Sequence, residues 1–412
     1  MIMDLLKQLA HCCSHENSLI VESVHPWLRE VVRPRNVAFM REVRFVCNIG
    51  DCNLFVDYVF GLPMLGWARH SPLLCQRTTN IPRSDRPTDA EIEANNIEVL
   101  RKARPAKDPK VDIMAWAKTE VELNKGTAIG PYYSFAALPR GRKRLLNRFT
   151  ILERHGGATE DSARNIDDCR AQGHNLESAC SSTHRPADLD LMSSLGRTVA
   201  EYFPGLRIGG LPSDFKGAYR QVTSCPLQAL DFVVTSWNPE LACQVFLLAV
   251  SQLFGSGNAP LNFTRCPDFC CRAISCLLGI AAVHCVDDVL VLEIWDSAMS
   301  AFHGWRGFAD LCGWDVPDSK PPPPASRFRA LGAMLDFSFF PGSPMLICPA
   351  EDRIEGLMEL LLSILQCRTL SPGLAGNLYG KLMFLAASTS VVAAGLFCGP
   401  FRAGSMSMAG VD

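Results

Sequence analysis

AAVHCVDDVLVLE, residues 281–293, places two adjacent carboxylates, Asp287 and Asp288, inside an otherwise apolar run. An ionised carboxylate that leaves water without a partner costs several kcal/mol. Apolar residues flank Cys285 to Asp288 on both sides, which predicts a β-hairpin whose tip carries both acids. A tight turn of this kind exposes the carboxylates at the end of a buried sheet, where a cation can reach them.

A cation at this tip needs more oxygen ligands than two carboxylates supply. Mg²⁺ takes a few carboxylates and completes its shell with water and phosphate oxygens. Asp214, in SDFKGAYRQV, ends a second apolar-flanked segment and is the candidate third ligand. Two metal ions held by such acids can activate an attacking oxygen and stabilise a leaving one in phosphoryl transfer. From these residues alone, three acids on surface turns are an equally good interpretation.

Composition predicts a large globular protein without an overall preference for nucleic acid. The 412 residues are 48% hydrophobic and 20% charged, which is enough for a large core and more than one lobe. The net charge is −2, so binding to nucleic acid would have to come from local basic patches. PRGRKRLLNR, residues 139–148, is such a patch, and a solvated loop is its alternative interpretation. Its basic residues are Arg140, Arg142, Lys143, Arg144 and Arg148.

The 18 cysteines and the first residues predict an intracellular protein, cytoplasmic or nuclear, that is not secreted. The Cys and His clusters at residues 11–15 and 266–276 lack the paired CxxC spacing of a zinc site, which favours buried thiols. Residues 382–401 are uncharged over about the length of a membrane span. Serine, threonine, glycine and proline dilute this stretch, so we expect a buried helix and not a membrane anchor.

Hydrophobic periodicity and the positions of proline-containing breaks divide the chain into a mixed α/β body and a helical C-terminal part. The polar, proline-containing residues 83–110 are typical of a linker with an exposed helix inside it. PPPP at 321–324 marks a break before the C-terminal part. Helices are predicted over 186–203 and 352–366 and from Ser371–Pro372 onward, and strands are predicted before Asp214 and over 241–250.

Further short motifs accompany the three acids in a fixed order. They are RNIDDCRAQGHN (164–175), DFKGAYRQV (214–222), QLFGSGNAPLNF (252–263), CVDDVLV (285–291), LCGWDVPDSK (311–320), LGAMLDF (331–337) and LSPGLAGNLYGKLMFLAA (370–387). Together they resemble the finger, palm, primer-grip and thumb motifs of the reverse transcriptases of retrotransposons and retroviruses. The resemblance covers about residues 110 to 400.

The resemblance implies an α+β fold shaped as a right hand, with an antiparallel-sheet palm, fingers and a helical thumb. The expected divisions are an unassigned N-terminal extension and linker (1–110), fingers and the start of the palm (111–210), the palm with its catalytic motifs (211–340), and a helical thumb or connection (341–412). Because the chain ends at Asp412, we expect it to be one fragment of a longer element.

The resemblance also assigns roles to the acids and to one lysine. Asp214, Asp287 and Asp288 would form a catalytic triad that binds two Mg²⁺ ions, with Mn²⁺ as a substitute. Lys320 would protonate or neutralise pyrophosphate, although a solvated loop lysine is nearly as good an interpretation. Phe215 would add a backbone carbonyl to a metal ion.

Other residues would bind the nucleotide and the template. Tyr219 would exclude a ribose 2′-hydroxyl, and Phe254 and Gly255 would line the incoming nucleotide. Glycines at 255 and 257 let backbone approach closely. Arg164 would pair with the triphosphate. Template or primer contacts fall to Arg140, Arg142, Lys143 and Arg144.

The expected activity is therefore RNA-directed DNA polymerisation for retrotransposition, with deoxynucleoside triphosphates and an RNA or DNA template with its primer as partners. The sequence departs from the family at Cys285, Asn165, Pro267 and the acids Glu160 and Asp161. A catalytically decayed, nucleic-acid-binding relic is thus the alternative. A polymerase that makes RNA is disfavoured by Tyr219, and a membrane protein by the composition of residues 382–401.

Overall fold

The computed structural model describes residues 1–76, 82, 85–153, 162–183, 188–317, 324–340 and 345–389. The chain divides into two compact units. The first contains residues 1–186, 213–289 and 300–320, and the second contains residues 187–212, 290–299 and 321–412. Prolines 321–323 and residues 390–401 of the uncharged C-terminal stretch lie outside the described residues.

Twelve α-helices are formed by the described residues. They are α1 (Ile2–Cys12), α2 (Ser14–Ser23), α3 (Arg29–Val32), α4 (Val37–Val46), α5 (Leu54–Phe60), α6 (Asp89–Lys102), α7 (Pro109–Asn124), α8 (Leu189–Tyr202), α9 (Ala259–Leu278), α10 (Trp295–Cys312), α11 (Glu351–Cys367) and α12 (Pro372–Thr389). The predicted helices are present as α8, α11 and α12, and Ser371 Oγ accepts a hydrogen bond from the Leu374 N–H at the start of α12. No described helix is long and apolar enough to cross a membrane.

Fifteen short strands accompany the helices in the same part of the chain. They are β1 (Gly66–Ala68), β2 (Cys75–Gln76), β3 (Ala128–Tyr132), β4 (Leu145–Glu153), β5 (Ser162–Asp167), β6 (Ser178–Cys180), β7 (Ser182–Thr183), β8 (Ile208–Asp214), β9 (Val233–Asn238), β10 (Cys243–Ala249), β11 (Ala282–Cys285), β12 (Asp288–Ile294), β13 (Arg327–Ala330), β14 (Ala333–Asp336) and β15 (Leu346–Pro349). The strands expected before Asp214 and over residues 241–250 are β8 and β10. The chain is therefore a mixed helix and sheet protein.

The largest sheet of the first unit has the strand order β3-β10-β9-β4-β5. Its β4 and β9 are parallel, whereas the other neighbours are antiparallel. Val233, Leu248 and Leu145 form a buried cluster on it with Val99 of α6. The side chain of Asn96, in the same helix, is hydrogen-bonded to the backbone at the start of β4. Residues 89–102 thus belong to the folded body and not to a linker.

The N-terminal residues, which the sequence left unassigned, are joined to α9 by a buried ion network. Arg265 donates from Nε to Asp51 at 2.7 Å and from Nη1 to Asp57 at 2.9 Å. All three side chains are at most 1% exposed. Each of these charges needs its partner because none has access to water.

A second buried ion network joins α7, β4, β5 and the 3₁₀ turn Ala218–Gln221. Asp167, which is fully buried, accepts from Arg148 Nε and from Arg220 Nη2, both at 2.8 Å. The same two arginines contact Glu122 at 2.9 and 3.0 Å. Burial raises the pKa of Asp167, but the charges of Arg148 and Arg220 outweigh it and hold the pKa below the ordinary value. The turn after β8 is therefore fixed to the main sheet.

The second unit is organised around the antiparallel sheet β13-β14-β15. Phe328 and Phe337 stack at 6.0 Å with an interplanar angle of 11°. A Cβ on Gly196 of α8 would lie 2.3 Å from the Phe337 ring, so the absence of a side chain there lets helix and ring meet. Helices α11 and α12 contact each other through the Lys381 ammonium, which donates to the Gly356 carbonyl at 3.1 Å.

Replacing Asp167 with Asn should destabilise the first unit by about 3 kcal/mol, because two buried arginines lose a charged partner. Chemical denaturation of the wild type and the variant measures the change. Glu16→Gln is the matched control, because Glu16 pairs with Arg41 at 2.7 Å while both side chains are 46% exposed. Its effect should stay below about 1 kcal/mol. Equal effects of the two substitutions would contradict this account of the buried network.

Candidate functional site

The predicted hairpin is formed by β11 and β12. Only Val286 and Asp287 lie between the two strands, and Asp288 begins β12. Val286 has a φ of +56°, which two-residue hairpin turns require and which a β-branched residue rarely adopts. Conformations of this kind cost on the order of 1–3 kcal/mol and occur preferentially at functional sites. The turn therefore holds Asp287 and Asp288 at some cost to stability.

Asp214, at the end of β8, is held beside this turn by its neighbour Phe215. The Phe215 N–H donates to the Asp287 carbonyl oxygen at 3.1 Å. Its ring is 1% exposed and packs edge-on against three aromatic rings. These are Phe263 at 5.8 Å, Trp305 at 5.7 Å and Trp314 at 6.1 Å. The buried Phe215 ring thus fixes the backbone that connects Asp214 to the hairpin turn. The Phe215 carbonyl oxygen accepts a hydrogen bond from the Ala218 N–H at 3.3 Å.

The three carboxylates act on one another electrostatically. Burial, followed by the charges of Asp287 and Asp288, raises the pKa of Asp214 to about 7. Burial and the charge of Asp287 also raise the pKa of Asp288. Asp287 is half-buried, whereas Asp214 and Asp288 are exposed on one side. The predicted acids therefore come together, and the charge of Asp287 disfavours the ionisation of both Asp214 and Asp288.

The chemistry of this set of acids suits a hard divalent cation, which prefers carboxylate oxygens and would remove their mutual repulsion. As they stand, the described residues include no group of three or more His, Cys, Asp or Glu side chains with the geometry of a metal site. Cation binding would consequently require rearrangement of the side chains.

Tyr219 and Phe254 form an aromatic pair next to the acids. Their ring centroids are 4.8 Å apart with an interplanar angle of 38°, and Tyr219 also meets Phe263 edge-on at 5.5 Å. Burial, and then the charge of Asp287, raises the pKa of the Tyr219 phenol. The Tyr219 phenol is therefore within electrostatic reach of Asp287.

The glycine loop, residues 254–258 after β10, contains two glycines whose surroundings differ. Gly255 has a φ of +118°, and a Cβ there would lie 2.1 Å from the Asp167 carbonyl oxygen. A Cβ on Gly257 would meet Asn175 at 3.5 Å, an ordinary contact. The close backbone approach expected of both glycines is therefore required only at Gly255.

The basic residues expected at phosphates divide into two groups. Arg164 is exposed on β5, and its charge lowers the pKa of Asp214 against the larger effect of burial. Arg144 is instead buried and donates twice to Glu177, at 3.1 and 2.6 Å. Because this ion pair uses the guanidinium, Arg144 is unsuited to the phosphate contact predicted for it.

Arg148 of the same patch is also buried, in the ion network of Asp167, whereas the remaining three basic residues are closer to solvent. Arg140 is exposed, Arg142 pairs with Asp89 at 3.1 Å, and the Lys143 ammonium lies 5.3 Å from the Phe135 ring centre. Lys320, for which a pyrophosphate contact was predicted, and the acids Glu160 and Asp161 lie outside the described residues.

Two of the departures from the family motifs, Asn165 and Pro267, lie in regular secondary structure. Asn165, where the motif has proline, donates to the Ala115 carbonyl at 3.0 Å and so ties β5 to α7. Pro267 lies within α9, which continues on both sides of it. Asn175 and the ion network around Asp167 are the features that sequence reasoning missed, although Asn175 lies inside the motif at 164–175.

Comparisons with known proteins give matches among solved structures alone. No family model matches the chain, and no curated protein matches it. A foamy viral protease-reverse transcriptase in complex with double-stranded DNA is similar with a TM-score of 0.45 and 12% identity, over 84% of this chain and 52% of that one. The same kind of protein with an RNA/DNA hybrid gives a TM-score of 0.44 and 12% identity, over 78% and 35% of the two chains.

This chain thus spans about half the length of the first of these structures. A further foamy viral complex with double-stranded DNA matches with a TM-score of 0.43 and 11% identity, over 90% of this chain and 61% of that one. Because the similarity is this distant, the function of the chain is inferred from the residues of the site.

Replacing Asp214 with Asn should stabilise the protein in EDTA at pH 8 by about 1 kcal/mol, a value reduced from the full shift because one side of the side chain is open to solvent. A carboxyl whose pKa is raised by folding favours the folded state below its unfolded pKa of about 4 and loses this contribution as the pH rises through about 7. The difference between the variant and the wild type should therefore shrink from pH 8 to pH 4. Thermal unfolding across this range measures it, with Asp310→Asn, at an exposed acid of α10, as control. A gain at pH 4 equal to that at pH 8 would rule out the raised pKa of Asp214.

Proposed function

We propose that this chain is an RNA-directed DNA polymerase of a retrotransposon, which adds deoxynucleotides to the 3′-hydroxyl of a primer on a template. The observation that carries the proposal is the assembly of Asp214, Asp287 and Asp288 at the end of β8 and the adjacent hairpin turn. The motifs that bring these acids together are separated by about seventy residues in the sequence. Their electrostatic coupling in the fold is what a phosphoryl-transfer site would need.

In this proposal Asp214, Asp287 and Asp288 hold two Mg²⁺ ions, for which Mn²⁺ can substitute. Bound there, the ions would lower the pKa of the primer hydroxyl and neutralise charge on the triphosphate. Asp214 must lose its proton before it can serve as a ligand, because a protonated carboxyl is a poor one. Since its pKa is about 7, cation binding should weaken as the pH falls below neutrality.

The aromatic pair suits a sugar-binding role beside the acids. The Tyr219 ring is packed against Phe254 and Phe263, and these contacts oppose the movement that a larger sugar would require. In the proposed complex it lies under the deoxyribose and excludes a 2′-hydroxyl. Phe254 and Gly255 line the same nucleotide, and Lys320 neutralises the departing pyrophosphate.

Basic side chains would supply the phosphate contacts. Arg164 presents an exposed guanidinium whose charge already reaches Asp214, and its planar fork suits a triphosphate. Arg140, Arg142 and Lys143 remain the proposed contacts to template or primer, without Arg144. Palm, fingers and thumb are the proposed arrangement of the fold, with divisions near residues 110, 210 and 340.

Primer extension on poly(rA) with oligo(dT), Mg²⁺ and dTTP tests the proposal. The wild type should extend the primer, and Asp287→Asn should reduce the rate by roughly a hundredfold or more, the equivalent of about 3 kcal/mol of lost charge stabilisation. Asp310→Asn, the same chemical change at an exposed acid of α10, should extend as the wild type does.

No extension by a folded wild-type protein that binds the primer-template would support the decayed relic. Extension that survives Asp287→Asn would remove the carboxylates from the mechanism. Incorporation of ribonucleotides as readily as deoxynucleotides would contradict the role of Tyr219.

A further inference from the structure

Asn175 forms a two-point amide clamp on the glycine loop. Its Nδ2 donates to the Gly255 carbonyl oxygen at 2.9 Å, and its Oδ1 accepts from the Gly257 N–H at 2.8 Å. Both ends of the amide are therefore used, and they hold two backbone groups that are two residues apart. The clamp acts on a loop whose glycines give it intrinsic conformational freedom.

The residue that carries the clamp is itself firmly supported. It lies in the 3₁₀ turn His174–Leu176, where the His174 ring is buried and its Nε2 is 2.6 Å from the Asp231 carbonyl oxygen. The Asn175 N–H also donates to the Cys169 carbonyl at 3.1 Å. A fixed turn can impose its geometry on a flexible partner, whereas a mobile turn could not.

The clamped loop carries the ring that packs on Tyr219. Phe254 immediately precedes the clamped segment, and its carbonyl accepts from the Asp167 N–H at 3.0 Å. The loop is thus fixed before its glycines by Asp167 and across them by Asn175. Without the second attachment, the backbone after Phe254 could leave the position that sets its 4.8 Å contact with Tyr219.

We propose that Asn175 is a positioning residue for the incoming nucleotide: it holds the Gly255–Gly257 backbone so that Phe254 and Tyr219 keep the shape of the nucleotide site. This proposal rests on the proposed function for the identity of the ligand, a deoxynucleoside triphosphate. The clamp itself is a property of the fold. Asn175 would affect the reaction only indirectly, through the position of the loop. Its loss should therefore weaken nucleotide binding while the carboxylates remain in place.

The chain contains a matched clamp elsewhere. Asn96 Nδ2 donates to the Lys143 carbonyl at 2.9 Å, and its Oδ1 accepts from the Leu145 N–H at 2.8 Å. The residue type, the distances and the two-residue spacing equal those of Asn175. Asn96 fixes α6 to the start of β4 and does not touch the glycine loop, so it reports the structural cost of losing such a clamp.

The experiment compares Asn175→Ala with Asn96→Ala in the full chain. Both should lower the melting temperature, because each removes two hydrogen bonds. In primer extension, Asn175→Ala should raise the KM for dTTP roughly tenfold with kcat nearly unchanged, as expected when binding in ground and transition states is lost equally. Asn96→Ala should leave this KM as in the wild type.

Hydrogen exchange followed by mass spectrometry separates the clamp from the activity. Peptides covering residues 253–258 should exchange faster in Asn175→Ala and at the wild-type rate in Asn96→Ala. Unchanged exchange there, or an equal rise in KM in both variants, would overturn the proposal. If the wild type extends no primer, the proposed function fails and the nucleotide role fails with it, whereas the exchange result still decides whether Asn175 holds the loop.

Discussion

The buried charge of Asp167 is the interaction on which the arrangement of the site depends. Its carboxylate joins Arg148 of the main sheet to Arg220, which directly follows Tyr219. The Asp167 backbone fixes the loop that carries Phe254. Its N–H donates to the Phe254 carbonyl, and its carbonyl oxygen occupies the space that a side chain at position 255 would need. One residue therefore sets the positions of both rings of the aromatic pair. Because its two arginine partners are themselves buried, the network has little freedom to adopt an alternative pairing.

The carboxylates at the hairpin show the opposite energetic behaviour. Asp167 is stabilised as an anion by two arginines, whereas burial and then two like charges raise the pKa of Asp214 to about 7. The positive φ of Val286 adds strain at the same turn. Like charges and a strained backbone therefore occur together in this small region, while the residues around it are paired and packed. This pattern is expected where a fold is selected for binding or catalysis. The buried network around Asp167 holds the surrounding structure in place, and the hairpin carries the carboxylates proposed to bind the cation.

Much of the local structure could be predicted from the sequence because its causes are local. Apolar flanks around a short polar centre identify the hairpin, and serine followed by proline identifies the start of α12. The burial of Arg144 and Arg148 could not be predicted, since a basic run in a sequence does not reveal that Glu177 and Asp167 approach from distant segments. The same limit applies to Asn175 and to Arg265, whose partners lie 80 or more residues away. Asp214 could be proposed as a third acid because it ends an apolar-flanked segment, and the family resemblance added its catalytic role, whereas the hydrogen bond from Phe215 to the Asp287 backbone required the fold.

The central claim is that the three carboxylates form a cation site, and direct binding of Mn²⁺ measured by electron paramagnetic resonance tests it without any need for catalysis. The account predicts that the wild type binds Mn²⁺ at pH 8, that Mg²⁺ competes, and that affinity falls as the pH drops below about 7, where Asp214 gains a proton. Asp287→Asn should weaken the binding roughly tenfold or more through the loss of one charged ligand. Equal Mn²⁺ affinity in the wild type and the variant, or no specific binding at pH 8, would contradict the claim.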